Sequence, residues 1–190
     1  MPPADPDDPL DAALRIARAF EDRGIAYAIG GAIAYGLWAI PRATVDVDVN
    51  VFVGEEDLDA VFELLTSLGV RIESEAARAQ NAREGMFVGR WSLYRIDVFT
   101  PSIDFSWEAE RTRVRHEIGE RSAWFLSAEA IAVFKLLFFR GKDIVDLERL
   151  VGLRSELDVA YVRRQIVSMM GASDERVAQW DRIVAASRGR

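Results

Sequence analysis

Hydrophobic and polar residues alternate through most of residues 45–53, which predicts a β-strand. Valines take every second position, and the positions between them hold Asp46, Asp48 and Asn50. Side chains along a strand point alternately to its two faces, so the valines share one face and both carboxylates the other. Residues 93–99 show the same pattern, with Asp97 on the polar face. Two predicted strands therefore each carry a polar face with at least one carboxylate.

Apolar residues recur at helical spacing in most of the remaining chain. The predicted helices cover residues 9–23, 32–39, 58–68, 128–140, 141–151, 157–170 and 174–186. The predicted strands cover residues 25–29, 45–53, 86–88 and 93–99, with weaker strand patterns at 70–72 and within 114–125. Residues 73–84 fit either a loop or an exposed helix. This order predicts an α+β fold, a small mixed β-sheet with packed helices plus a C-terminal helical segment.

The composition of the chain suggests three parts. Residues 1–8 are acidic and rich in proline, which is typical of a loose N-terminal lead. Residues 9–106 hold the stronger strand patterns and are expected to form the core. Residues 107–190 are mainly helical and are expected to complete a cleft beside it.

Residue usage narrows the possible chemistry. The chain has no cysteine, which excludes a disulfide scaffold, a thiol nucleophile and a cysteine-ligated metal. Its single histidine, His116, lies between two charged residues and is expected at the surface. No apolar run approaches the ~18 residues of a membrane span, and no signal peptide is evident, so a cytoplasmic protein without membrane contact is expected.

Basic residues are distributed unevenly and are almost all arginine. The net charge is −7, but residues 1–106 hold 18 acidic and 9 basic side chains whereas residues 107–190 hold 13 and 15. The second half therefore leaves local contact with phosphate or RNA open. Lys135 and Lys142 are the two lysines in the chain, and both fall in this half. Lysine offers a compact ammonium where arginine offers a planar fork, so these two positions are candidates for a specific charge contact.

The paired carboxylates favour a metal site. Mg²⁺ prefers carboxylate oxygens, and Asp46 and Asp48 lie two residues apart on one strand face. Asp97, on the neighbouring predicted strand, is the natural third carboxylate. A solvated polar strand face is the alternative, although aspartate is depleted in strands and two of them within a valine run call for an explanation.

Gly30 and Gly31 stand between a predicted strand and a predicted helix. Backbone N–H groups at a helix N-terminus bind anions, so this pair is a candidate cradle for phosphate. Taken alone, the pair is better explained as a simple strand-to-helix turn. Its position shortly before Asp46 favours one unit that brings phosphate and metal together.

Lys135 lies in the very apolar segment 131–139. A buried charge is costly unless a partner is close, which favours a functional contact. A lysine that extends its ammonium to the surface is the alternative. Lys142 follows about two helical turns later and shares a face with Lys135 if the helix continues past Gly141.

The motif Ile29-Gly30-Gly31, followed by Arg42-x-Thr44-x-Asp46-x-Asp48 and by a strand with Asp97, resembles the nucleotidyltransferase superfamily that includes DNA polymerase beta. Within it, Lys135, Arg140, Lys142-Asp143 and Asp146 resemble the AbiEii/MenT branch of toxin-type enzymes. The likeness covers residues 25–150. One departure is Gly31, where many members have serine, so that only a backbone cradle remains for phosphate.

The resemblance implies a role for each matching residue. Asp46, Asp48 and Asp97 would bind Mg²⁺ or Mn²⁺, and Asp97 would also assist deprotonation of the acceptor. The nucleotide-binding residues would be Gly30, Gly31, Arg42, Thr44, Lys135, Lys142 and Asp146. Asp143 or Asp146 would lie near the acceptor or the nucleotide sugar. An N-terminal helix cap is an equal alternative for Asp143, and an exposed helix carboxylate is the alternative for Asp146.

The resemblance further implies an enzyme that transfers a nucleoside monophosphate from a nucleoside triphosphate such as ATP to an acceptor hydroxyl, releasing pyrophosphate. A toxin of a toxin-antitoxin system that acts on tRNA is the first expectation, with a cognate antitoxin protein as partner. A small-molecule (antibiotic) nucleotidyltransferase and a non-catalytic nucleotide-binding module are the alternatives.

Arginines alternate at Arg111, Arg113 and Arg115. They fit a basic strip that faces RNA, but a solvated edge strand is the simpler interpretation. Charged residues on an edge strand also discourage aggregation.

Overall fold

A computed structural model describes residues 5–188 of the chain. The predicted α+β class is confirmed, with one mixed sheet of six strands. The strands are β1 (Tyr27–Ile29), β2 (Asp46–Val51), β3 (Met86–Trp91), β4 (Tyr94–Phe99), β5 (Val114–Ile118) and β6 (Arg121–Phe125). The helices are α1 (Pro9–Asp22), α2 (Gly31–Trp38), α3 (Leu58–Ser67), α4 (Ser74–Glu84), α5 (Asp104–Arg111), α6 (Ala128–Phe138), α7 (Gly141–Leu153), α8 (Val159–Met170) and α9 (Glu175–Arg188).

The strands lie in the order β3-β4-β2-β1-β6-β5. The pairs β2–β4 and β1–β6 are parallel, and the other neighbours are antiparallel. Alternation in β2 places Val47 and Val49 in the core with no exposed surface, while Asp46 and Asp48 stay half-buried. The predicted division of β2 into an apolar and a polar face is therefore confirmed.

Two helices cover the valine face of the sheet. Tyr27 is the register partner of Val51, and its ring lies 5.8 Å from the ring of Phe20 in α1. Phe87 of β3 packs edge-on against Phe62 of α3, with ring centroids 4.8 Å apart. Because these aromatic rings fill the valine side, the carboxylates of β2 are left on the other face of the sheet.

The chain folds as two compact units. Within the described residues, the first comprises residues 5–34 and 42–126, and the second comprises residues 35–41 and 127–188. The first contains the whole sheet, whereas α6 packs on α7, α8 and α9 in the second. The division predicted after residue 106 lies within the first unit.

Three local features differ from or refine the sequence-based expectations. Residues 74–84 form helix α4, so the loop alternative for this segment is wrong. Residues 114–125, where the strand pattern was weak, form the complete hairpin β5–β6. In the predicted lead, residues 1–4 lie outside the described part, and the Asp8 side chain caps α1 by accepting a hydrogen bond from the Asp11 N–H at 2.7 Å.

No helix within residues 5–188 combines the length and the apolar character needed to cross a lipid bilayer.

Candidate active site

The two carboxylate strands lie side by side in the sheet. β2 pairs with β4 in parallel, and Asp48 is the direct register partner of Asp97. In this register Asp46 is the partner of Arg95, which places all four side chains on the same face. The sequence identified the three aspartates, but the separation of residues 46 and 97 along the chain does not determine which residues of the two strands are paired. The structure shows this pairing.

Asp97 is influenced by its neighbours on that face. Its Oδ1 accepts a hydrogen bond from Arg95 Nε at 2.7 Å. Burial raises the pKa of Asp97 and the charge of Asp46 adds to this effect, which outweighs the lowering by Arg95. The sequence analysis did not identify the bond from Arg95 to Asp97. The two residues lie two positions apart in one strand, and this spacing was the available signal.

Asp48 lies against the start of helix α2. A Cβ atom placed on Gly31 would be 1.8 Å from Asp48 Oδ2, so the carboxylate occupies the space that a side chain at residue 31 would need. Gly31 also has φ of +53°, a left-handed conformation that glycine adopts without strain. The positive end of the helix dipole favours a carboxylate at this position.

The two glycines have different structural roles: Gly30 bonds to the sheet, and Gly31 begins helix α2. The Gly30 N–H donates to the Asp48 carbonyl at 2.8 Å, so it extends the sheet next to the carboxylate strand. That bond explains Gly30 as part of the ladder and argues against its N–H as a phosphate donor. The first turn of α2, from Gly31 onward, holds the N–H groups that a helix does not satisfy internally.

Thr44 secures the entry to β2. The Asp46 N–H donates to Thr44 Oγ1 at 3.0 Å, and the Thr44 hydroxyl contacts the Asp46 carbonyl at 3.2 Å. These contacts fix the backbone that carries the Asp46 carboxylate. Arg42, two residues earlier, is exposed.

The three aspartates fit a hard divalent cation by chemistry and by backbone position. Carboxylate oxygens are the donors that Mg²⁺ and Mn²⁺ prefer. Within residues 5–188, however, no three His, Cys, Asp or Glu side chains are gathered closely enough to enclose a metal ion. Arg95 holds one oxygen of Asp97, and Asp48 is directed to Gly31. The strands thus place the three aspartates on one face, but their carboxylates do not converge on one point.

The second unit holds a separate buried cluster. Lys135 Nζ lies 2.6 Å from Asp146 Oδ2 and 3.4 Å from Asp143 Oδ1, and all three residues are buried. Arg140 Nε donates to the other oxygen of Asp143 at 2.6 Å. The lysine is thus neither unpaired nor extended to solvent. Both lysine-to-aspartate contacts connect α6 with α7.

Tyr35 completes this cluster and was missed from the sequence. Its hydroxyl donates to the Asp146 carbonyl at 3.1 Å, and the Lys135 ammonium lies 5.0 Å from the ring centroid. An ammonium over an aromatic face gains a further electrostatic attraction. Tyr35 precedes Lys135 by 100 positions in an unremarkable apolar segment, so no local pattern could have linked them.

Two possibilities that the sequence left open for the cluster are wrong. Helix α6 ends at Phe138 and the chain turns through Phe139 at φ of +54°, so Lys142 does not continue on the face of Lys135. Lys142 is exposed in the first turn of α7. The alternative of an exposed Asp146 is also wrong, because Asp146 is 3% exposed.

The pKa of Asp143 is lowered by its neighbours. Burial alone raises its pKa, but the hydrogen bond from Arg140 and the charges of Lys135 and Arg140 outweigh burial and lower it. Asp143 also accepts a bond from the Arg140 N–H at 3.2 Å. It therefore acts in the first turn of α7 rather than as the cap residue that precedes the helix.

A cavity of about 350 Å³ lies elsewhere in the first unit, beside α1. Its walls include Leu14, Leu68 and Trp91, with Arg15, Arg18 and Arg121 among the polar residues around it. None of the predicted site residues lines this cavity, so it is separate from the carboxylates.

By sequence, the chain matches no protein-family model and no curated protein. By structure, it is similar to an antigenic nucleotidyltransferase-like protein from Paracoccidioides brasiliensis, with a TM-score of 0.55, 19% identity, and coverage of 93% of this chain and 95% of the other. It is also similar to the antibiotic-resistance factor ANT(2″)-Ia, with a TM-score of 0.50, 19% identity, and coverage of 93% and 89%.

A third similar structure is the lincosamide antibiotic adenylyltransferase LnuA with lincomycin bound. Its TM-score is 0.50 at 15% identity, with coverage of 77% of this chain and 98% of the other. At these identities the likeness concerns the fold. The chain has a nucleotidyltransferase-like fold, shared with antibiotic nucleotidyltransferases.

Proposed function

We propose that this protein is a metal-dependent nucleotidyltransferase that moves a nucleoside monophosphate from a nucleoside triphosphate to an acceptor hydroxyl. The observation that carries the proposal is the register of β2 and β4. It places Asp48 directly beside Asp97, with Asp46 on the same face and the start of α2 against Asp48. A polar strand face that only contacts solvent would not explain why three carboxylates lie together beside a helix N-terminus.

In the proposed reaction the acceptor oxygen forms a bond to the α-phosphorus, and the bond from that phosphorus to the α,β-bridging oxygen breaks. Pyrophosphate leaves with the electron pair of the broken bond. A carboxylate oxygen of Asp97 takes the proton of the acceptor hydroxyl. Asp46, Asp48 and Asp97 would hold Mg²⁺ or Mn²⁺, which supplies positive charge for the attacking and leaving oxygens when it is bound.

The donor phosphates are proposed to lie at the first turn of α2. The N–H groups from Gly31 onward and the helix dipole favour negative charge there. Gly30 shapes the site through its bond to the Asp48 backbone, and Thr44 positions Asp46. Arg42 is proposed to meet phosphate from the exposed loop that precedes β2.

The proposed nucleotide-binding role of Lys135 and Asp146 requires an exchange of partners. Lys135 bonds two carboxylates, and a phosphate oxygen that replaced one of them would keep the ammonium paired. Lys142 is exposed and directly precedes Asp143 in the chain, so we propose that it contacts the same nucleotide. Lys135 and its carboxylate partners would act together, because a buried ammonium cannot lose all its partners without a large cost in free energy.

Two acceptor classes follow from different observations. The sequence motif from Arg42 to Asp48 and the segment from Lys135 to Asp146 support a toxin that modifies tRNA and is opposed by an antitoxin. The fold shared with ANT(2″)-Ia and LnuA supports an antibiotic hydroxyl as the acceptor. A non-catalytic nucleotide-binding module is the third candidate, and the experiment below separates all three.

The experiment incubates the purified chain with Mg²⁺, each α-³²P-labelled nucleoside triphosphate, and either total tRNA or a panel of aminoglycosides and lincosamides. We expect label to move to one acceptor class. Asp46→Asn and Asp48→Asn should each remove transfer, since both carboxylates are needed. The matched control is Asp57→Asn, an exposed position whose side chain makes no capping bond, and it should leave transfer unchanged.

The outcomes assign the function. Transfer to tRNA supports the toxin, and transfer to an antibiotic supports the resistance enzyme. Retained nucleotide binding without transfer to any acceptor supports the regulatory module. Transfer that persists in Asp48→Asn would show that the carboxylate site is assigned incorrectly.

A further inference from the structure

Strand β5 forms an end of the sheet and shows an open edge. Within the described residues it pairs with β6 alone, and Arg115, His116 and Glu117 are all exposed. The opposite end of the sheet is different, because Arg71 forms two backbone hydrogen bonds with Arg90 of β3, at 2.8 Å and 3.0 Å. An unpaired strand edge is a template for another strand, so β5 needs either protection or a partner.

The hairpin determines which backbone groups of β5 point outward. Ile118 pairs with Arg121 across a two-residue turn in which Gly119 has φ of +61°, as in a type II′ hairpin. The residues that flank such a turn hydrogen-bond each other, and antiparallel pairs alternate between bonded and non-bonded. Counting back from Ile118, Arg115 and Glu117 direct their N–H and C=O groups away from β6.

These two residues restrict how a second copy could pair with the edge. A two-fold axis across β5 makes the strands antiparallel, and outward groups must meet outward groups. If the two-fold axis passes through Arg115, this residue lies opposite Arg115 of the second copy. If the axis passes through Glu117, the two glutamates lie opposite each other. A centre at His116 pairs each Arg115 with a Glu117. Opposite charges directly across a ladder are favourable and like charges are not, so a single register is selected.

The rest of the strand fits the same register. With His116 on the axis, Val114 lies opposite Ile118 of the second copy, which pairs one apolar side chain with another. Arg115 donates through Nη1 to Glu21 and through Nε and Nη2 to Ser122 Oγ, which holds its guanidinium beside β6. A guanidinium has five N–H donors, so two remain for a carboxylate across the axis.

We propose that two copies of this protein associate through β5 in an antiparallel pair centred on His116. Arg115 of each copy exchanges its backbone hydrogen bonds with Glu117 of the other and forms an ion pair with its carboxylate. The strand is short, so the dimer is weak and forms at high protein concentration. The charges of Arg115 and Glu117 disfavour pairing with unrelated strand edges, and they favour pairing with the β5 edge of a second copy.

Sedimentation velocity of the full chain over a dilution series up to several hundred micromolar tests the proposal. Glu117→Arg and Arg115→Glu should each weaken association about tenfold or more, because two attractive pairs become two repulsive ones. The double variant Arg115→Glu with Glu117→Arg restores opposite charges in the same register and should recover dimerisation. Circular dichroism of each variant verifies the fold. A double variant as weak as the single ones would overturn the register.

Amide hydrogen exchange of the unmodified chain gives an independent test. In dilute protein the amides of Val114 and His116 should be protected by β6, and those of Arg115 and Glu117 should exchange fast. At high concentration Arg115 and Glu117 should gain protection. If the protein stays monomeric at every concentration and these two amides never gain protection, the proposed interface does not exist.

Discussion

The carboxylate of Asp48 occupies the space where a side chain on Gly31 would project. The distance from Asp48 Oδ2 to a Cβ atom placed on Gly31 is 1.8 Å, which is far too short for a non-bonded contact. Helix α2 and strand β2 thus approach so closely that the Asp48 carboxylate packs directly against the N-terminus of α2. The absence of a side chain at residue 31 is therefore a requirement of the carboxylate position, and not merely the loss of a phosphate contact.

This relationship predicts that Gly31→Ala removes nucleotidyl transfer while the protein stays folded. The added Cβ must displace the Asp48 carboxylate, and alanine at φ of +53° adds about 1–2 kcal/mol of backbone strain. Gly24→Ala is the matched control, since Gly24 has φ of +67° and no atom within 4 Å of the added Cβ. Transfer rates and thermal unfolding of both variants check this. Equal transfer rates in the two variants would show that the Asp48 position does not matter.

Thr44 is expected to act through Asp46. Thr44→Val keeps the shape of the side chain but loses the hydroxyl that bonds the Asp46 backbone, which costs about 0.5–1.5 kcal/mol of stability. We expect kcat to fall while the KM for nucleotide changes little, because Asp46 loses its fixed position. Thr44→Ser retains the hydroxyl and should recover kcat. A Thr44→Ser variant as slow as Thr44→Val would contradict a role for the hydroxyl.

Lys135→Ala should destabilise the protein strongly. It leaves Asp143 and Asp146 buried without their ammonium, and breaking a buried ion pair costs about 3–5 kcal/mol. Lys142→Ala, at an exposed lysine in the same region, should change the free energy of unfolding by no more than about 0.5 kcal/mol. Urea unfolding of the two variants measures the difference. Similar midpoints would mean that the cluster around Lys135 does not stabilise the fold.

Asp143 should make stability depend on acid pH. Its pKa is lower in the folded protein than in the unfolded chain, so its contribution is complete above the unfolded pKa of about 3.9 and is lost as the pH falls through the folded pKa. Asp143→Asn should therefore be less stable than the unmodified protein at neutral pH. The difference should shrink as the pH falls below about 4.

Urea unfolding across a pH series measures this effect. The control is Asp181→Asn, which removes a carboxylate from an exposed ion pair with Arg163 and should change stability little at any pH. A difference between Asp143→Asn and the unmodified protein that stays constant into acid would show that the lost contact is not an ionic one.

The sequence by itself determined most of the fold. Alternation of valine with aspartate defined β2 and its two faces, and helical spacing defined the C-terminal helices, because these periods follow directly from backbone geometry. The same alternation identified Asp46, Asp48 and Asp97 as residues of polar strand faces. It could not give the register of β2 on β4, which depends on how distant segments pack.

Only the tertiary structure decided which partners each charged group has. Lys135 was singled out as a charge in an apolar helix, but its partners Asp143, Asp146 and Tyr35 depend on the end of α6 and on the position of α2. Arg95 binds Asp97 because both side chains project from one strand face with room between them. Patterns along the chain report which residues are buried or polar, whereas ion pairs and close contacts depend on distances across the fold that no local pattern records.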